Sequence, residues 1–150
     1  MGTTVVLLAA GYATRLYPLT QDKPKALLPL GKGVILDAVI RTLKEIPDLS
    51  QCLLVTNHRF ADPFRQWQQN RGLPIRVIDD GTSTVETRLG AIRDLELAKN
   101  EAAPDDDLLV LGTDNLFQWS LGDFVAQAKK HQPAPTIALW QAPSAAAAVQ

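Results

Sequence analysis

Arg15, Lys25 and Asp114 are the residues whose types and surroundings point to chemistry. The first two lie in LLAAGYATRLYPLTQDKPKALLPL, residues 7–30. This stretch begins as an apolar run, leaves it at Gly11 and continues without helical periodicity to Leu30. Ordinary strand-to-helix connections run about 2–6 residues, so a loop of this length in a small domain reads as functional. Its small residues Ala9, Ala10, Gly11 and Ala13 let the backbone approach a ligand closely, and successive exposed N–H groups in such a turn form an anion nest. Thr14 adds a hydroxyl donor, Arg15 a planar fork suited to phosphate oxygens, and Lys25 a compact mobile charge. Pro18, Pro24 and Pro29 stiffen the loop, so binding has less to order. The composition is that of a polyphosphate cradle. It is neither a GxxxxGK[ST] loop nor a GxGxxG dinucleotide turn, and Lys32 in GKG (31–33) reads as a turn residue.

Asp114 stands two residues beyond the apolar run DLLVLG (107–112), in the loop LGTDNLFQW. A carboxylate at a strand's carboxyl end is placed to hold Mg²⁺ against a phosphate, with capping of the turn as the alternative. A third loop, DDGTST (79–84), offers hydroxyls and the flexible Gly81. It either reads a base edge or is a plain turn in which Thr84 caps the next helix.

The elements that must position these loops alternate along the chain. Strands are expected at 4–10, 52–57, 75–79, 107–112 and 136–140, and helices at 35–46, 61–70, 85–98 and 121–131. In the first helix Ile35, Val39, Leu43 and Ile46 form the apolar stripe, with Asp37, Arg41, Lys44 and Glu45 toward water. The second carries Pro63 in its first turn. The third turns Val85, Leu89, Ile92 and Leu95 inward and contains Gly90, a weakening of about 1 kcal/mol that invites a packing or close-approach reason. The fourth starts at a Ser120 cap and buries Leu121, Phe124, Val125 and Ala128. Alternating strands and helices imply an α/β fold with a doubly wound, mostly parallel sheet, whose ligands bind outside the carboxyl ends of the strands. Trp67 and Trp140 are expected in the core or an interface, and Trp119 in the core, with walling of the site beside the Asp114 loop as the alternative; His58 and His131 are expected on the surface, and Asp105–Asp107 in a solvated turn.

The 150 residues fit one domain, and 46% apolar content is enough for a core. A net charge of −1 makes no electrostatic case for nucleic acid or an anionic membrane. No apolar run approaches the roughly 18 residues a bilayer span needs, and the N-terminus lacks the basic region of a signal peptide. The single cysteine, Cys52, excludes an internal disulfide and a cysteine metal site. Together these suggest a cytoplasmic protein.

The cradle stretch resembles the signature of the sugar-phosphate nucleotidyltransferases: a strand, then G-x-G-T-R-L, x-P-x-T and P-K-x-L-x-P. GVILDAVIRTL is similar to that family's first helix, GTDNLF to its metal loop, and DDGTSTVETRLGAIRDL to its base-contacting segment. The resemblance covers about residues 4–140. It implies a Rossmann-like nucleotidyltransferase fold and transfer of NMP from an NTP to a sugar-1-phosphate with release of pyrophosphate. Ala9, Ala10, Gly11, Ala13, Thr14, Arg15, Lys25, Gly81, Thr84 and Gly90 would bind the nucleotide. Arg15, Lys25 and Asp114 would serve the reaction, with Mg²⁺ on Asp114. Three positions depart from the pattern. Ala13 replaces the signature's second glycine and would strain a positive φ, Thr113 stands where glycine is usual before the metal Asp, and the chain is shorter than the family's catalytic domains. The length points to an N-terminal nucleotide-binding portion, whose uncovered strand edges would favour homo-oligomers. Two other functions fit the same residues: a nucleotide-binding regulatory module without turnover, or transfer to another phosphorylated acceptor such as phosphocholine.

Overall fold

The computed structural model describes residues 2–139 and 141. In chain order the strands are β1 (Thr3–Leu8), β2 (Pro29–Leu30), β3 (Gly33–Val34), β4 (Leu49–Thr56), β5 (Ile75–Asp79) and β6 (Asp107–Gly112). The helices are α1 (Ile35–Thr42), α2 (His58–Arg71), α3 (Ala91–Glu101) and α4 (Leu121–Lys130). Four strands form one parallel sheet in the order β5-β4-β1-β6, while β2 and β3 make a small antiparallel hairpin whose turn is Gly31–Lys32. β1 lies between β4 and β6 with Val5, Val6 and Leu7 fully buried, as expected of a strand covered on both faces. Among the described residues no helix is long and apolar enough to cross a membrane.

Several expectations are corrected. Residues 136–139 form no strand, and Ile137 and Leu139 are 73% and 84% exposed. Pro133 and Pro135 lead into the segment, and each withholds an amide donor from any ladder. Trp140 lies outside the described residues. The second helix starts at His58 rather than residue 61, because the Asn57 side chain accepts from Phe60 N at 3.1 Å and caps it. Pro63 is therefore interior to that helix. The third helix starts at Ala91, so Gly90 precedes it, and Thr84 caps a local turn with Thr87 instead. That shift also rotates the buried face: Ile92 is 80% exposed, whereas Asp94 and Ala98 are buried. Trp119 is 44% exposed rather than in the core, packed edge-on against Phe117 and tilted on Phe124.

Several charged residues have structural work the periodicity did not assign. Asp37 does not face water. It accepts from Val34 N (2.9 Å), Trp67 Nε1 (3.0 Å) and Arg71 Nη2 (2.7 Å), joining the start of α1 to α2. Glu45 accepts from Leu121 N at 3.0 Å at the start of α4. Asp106 is no mere solvated turn residue: it accepts from Gly2 N, Thr4 Oγ1 and Ser50 Oγ, tying together the entrances of β1 and β4.

Burial alone would raise the Asp37 carboxyl, but the bonds from Arg71, Val34 and Trp67 outweigh it and hold the group below the ordinary carboxylate range. A depressed folded value means that the stabilisation is complete above the unfolded carboxylate pKa and is lost as pH falls through the folded one. Asp37→Ala should therefore cost about 2–3 kcal/mol at neutral pH. It should also shift acid unfolding, followed by circular dichroism, so that the mutant and wild type converge at low pH.

Candidate active site

Strand order turns back at β1: the chain builds outward through β4 and β5, then returns to β1's other side with β6. The loops after β1 and β6 therefore leave the sheet side by side, at the reversal point where open α/β sheets take ligands. A cleft of about 240 Å³ opens there. Ala9, Gly11 and Ala13 from the first loop line it, together with Lys25, Thr113 and Asp114.

Three side chains hold the β1 loop by its carbonyls. Thr113 Oγ1 donates to Leu8 O at 3.2 Å, Asn57 Nδ2 to Ala10 O at 3.0 Å, and Thr20 Oγ1 to Ala13 O at 2.8 Å. Asn57 and Thr20 are essentially buried. Ala13 takes φ 47° and ψ 43°, the one non-glycine residue with positive φ among those described. The turn reverses the chain into the short 3₁₀ helix Thr14–Leu16, whose Leu16 N also bonds Ala13 O at 2.9 Å. Gly11 has no such conformational need, and a Cβ there would meet nothing within 4 Å.

Across the cleft Lys25 Nζ donates to Asp114 Oδ2 at 2.8 Å. Both side chains remain well exposed, at 40% and 44%. Thr14 and Arg15 are exposed and lie outside the lining. Gly81, Thr84 and Gly90 also lie outside the lining. Gly81 and Gly90 have φ of 77° and 87°, and Gly90's ψ of 159° places it in a region essentially restricted to glycine. No atom lies within 4 Å of a Cβ built at Gly90, so backbone conformation rather than packing explains it. The 80–90 segment reaches the β1 loop through Tyr12, a buried residue beside Thr82 whose phenol is pushed up by burial.

Among the described residues no group of three or more His, Cys, Asp or Glu side chains is arranged to hold a metal. Asp114 supplies one carboxylate at the cleft. One or two protein carboxylates, completed by phosphate oxygens and water, are what Mg²⁺ in phosphate chemistry takes, so the donor set fits that ion. Asn57 and Thr20 were missed as positioning residues. The signal for Asn57 was a polar residue directly ending the apolar run CLLVT, and for Thr20 its place in YPLT.

A family model described as Nucleotidyl transferase matches residues 4–148. The UTP–glucose-1-phosphate uridylyltransferase AglF of Haloferax volcanii is 29% identical over 126 residues, 83% of this chain and 49% of that protein. The bifunctional protein GlmU of Methanococcus maripaludis is 27% identical over 120 residues, 80% of this chain and 26% of that one. A solved Bacillus anthracis protein assigned as a glucose-1-phosphate thymidylyltransferase superposes with a TM-score of 0.74 at 21% identity, over 87% of this chain and 52% of its own. The last likeness bears on the fold, which is Rossmann-like. The chain thus spans less than half the length of these curated relatives and about half of the solved one.

The loop's anchors make separable expectations for stability. Asn57→Ala orphans both Ala10 O and Phe60 N, and should cost about 2–4 kcal/mol in urea unfolding. Ala13→Val forces a β-branched residue into the left-handed region and should cost about 1–3 kcal/mol. Ala13→Gly should stay within about 1 kcal/mol of wild type, because relief of strain is offset by chain entropy.

Proposed function

The chain belongs to the nucleotidyl transferase family, and from that premise we propose that it transfers NMP from an NTP to a sugar-1-phosphate and releases pyrophosphate. The observation that carries this reading is the cleft at the strand reversal, where small residues, a lysine and a carboxylate converge beside Gly11. Among the described residues nothing demands glycine at position 11, so its lack of a side chain keeps space for a ligand. The names of AglF and of the Bacillus anthracis neighbour describe nucleotidyl transfer to a sugar-1-phosphate, which supports this acceptor class.

In this reading the loop of Ala9, Ala10, Gly11, Ala13 and Thr14 presents backbone donors to the triphosphate. Arg15, exposed two residues beyond Ala13, neutralises the β- and γ-phosphates that depart as pyrophosphate. Lys25 neutralises charge at the α-phosphate and the incoming sugar phosphate. Asp114 would hold Mg²⁺, which supplies further neutralisation of the phosphate oxygens. Gly81, Thr84 and Gly90 belong to the segment assigned to the base. A phosphate oxygen of the sugar-1-phosphate attacks the α-phosphorus in line, a new P–O bond forms, and the α–β bridging bond breaks. The nucleophile is already an anion, so no general base is required. Positioning and charge stabilisation supply the catalysis.

Thermal shift with ATP, GTP, CTP, UTP and dTTP, with and without Mg²⁺, tests the cradle directly. A nucleotide at 100 times its Kd adds about 2.7 kcal/mol, or roughly 5–11 °C for a domain of this size. One or two NTPs should shift wild type, and Arg15→Ala should lose that shift. No shift with any of the five would overturn the reading.

A further inference from the structure

Asp94 lies in the first turn of α3 yet is 4% exposed, an acid on the helix face that should carry an apolar residue. Its Oδ1 has no hydrogen-bond partner. Neither has Asp80 Oδ2, which is also buried, at the end of β5. Asp80's other oxygen is engaged by Thr82 N at 2.7 Å and Thr82 Oγ1 at 2.8 Å, and Asp80 N donates to Thr56 O at 2.9 Å. The two carboxyls lie within hydrogen-bond reach of each other. A half-buried and a buried carboxylate in contact repel, and each orphaned, buried oxygen carries its desolvation cost. One proton between them removes both penalties.

The surroundings favour that proton. Burial first, and then the Asp80 charge, push Asp94 up to about 6. The positive end of α3 acts in the opposite direction and is outweighed. From β1 and β4 the helix meets Val6, Leu53 and Val55, all apolar. Beyond Asp80 stands Tyr12, whose hydroxyl is unpartnered, and Arg59 and Glu86 act on Tyr12 rather than on Asp94.

The pair brackets a segment with few other ties. His58 N donates to Thr82 O at 2.8 Å, and Gly81 N to Asp79 Oδ1 at 2.9 Å. Beyond Thr82 the polar contacts are local to Thr84 and Thr87. The glycines at its two ends, Gly81 and Gly90, both have positive φ.

We propose that Asp80 and Asp94 share a single proton, and that this proton fastens the segment Gly81–Gly90 to α3, so that the segment loosens when the pair gives the proton up. Asp94 is then a positioning residue. Its bearing on substrate rests on the nucleotidyltransferase reading: a looser segment weakens NTP binding, raising KM more than it lowers kcat.

Amide hydrogen exchange over pH 4–8, corrected for intrinsic rates, decides this on the whole chain without nucleotide. The sign follows from linkage. A carboxyl raised in the folded state binds a proton that the unfolded chain has released, so its stabilisation is full at low pH and declines as pH rises through the folded value. Protection of residues 83–90 should fall in wild type by up to about tenfold per pH unit between the ordinary carboxylate value and the folded value of about 6, and level off above it. Asp94→Asn supplies a permanent donor and should flatten the profile. Identical profiles in the two proteins would overturn the proposal. If the variant does not fold, carboxyl ¹³C NMR of wild type decides instead: Asp94 must titrate well above the ordinary carboxylate range, and titration within that range overturns the shared proton. Failure of NTPs to bind at any pH would remove the nucleotide reading while leaving the exchange result to judge the latch.

Discussion

The carbonyls of Leu8, Ala10 and Ala13 are the points from which the site hangs. Each is held by a side chain from another part of the chain: Thr113 after β6, Asn57 after β4, and Thr20 farther along the loop. A strand buried on both faces has no free surface to guide the chain it releases, and a buried carbonyl left unpaired there costs on the order of 1–3 kcal/mol. The three donors satisfy those carbonyls and fix the path of the loop in the same step. Thr113 also couples the β1 loop to the strand that delivers Asp114. The two sides of the cleft therefore share a hydrogen bond at their base.

This arrangement gives a physical account of the alanine at position 13. A left-handed residue without glycine costs roughly 1–2 kcal/mol. Its carbonyl receives both Thr20 Oγ1 and Leu16 N, two bonds that compensate for the strain. Thr113, which replaces the usual glycine, is likewise used rather than merely tolerated, because its hydroxyl is the donor to Leu8.

Much of this was legible in the sequence. The runs VVLL and CLLV read as buried strands and LLVL as a strand, although Leu108 and Val110 turn outward in the fold, and the long proline-stiffened loop pointed to the candidate site. The reversal of strand order could not be read from any single element, but it followed from the alternation of strands and helices. What failed was register. Treating 85–98 as one helix put Ile92 inside and made Gly90 an interior weakness. In the fold Gly90 occupies a backbone conformation reserved for glycine, the helix begins one residue later, and the buried face falls on Asp94. Periodicity counts apolar residues, so it could not place a buried acid. It failed at Asp37 for the same reason, because that carboxylate is paid for by partners thirty or more residues away. The unformed strand at 136–139 shows the converse limit: apolar, β-branched residues describe a strand only when a sheet edge and a cover are both available to it.

The Lys25–Asp114 pair then acquires a meaning beyond stability. Two side chains that are each about 40% exposed gain little from pairing, on the order of 0–1 kcal/mol. The pair contributes little to the fold, yet it places opposite charges 2.8 Å apart at the mouth of the cleft. In the proposed reaction a phosphate would compete for the lysine and a divalent cation for the carboxylate. A strong, buried pair at the same position would have to be broken at a cost of several kcal/mol. The exposed pair keeps both charges oriented and surrenders them at almost no cost. The cleft thus combines a rigid backbone, fixed by three hydrogen bonds at its base, with two charges at its mouth that are free to change partners.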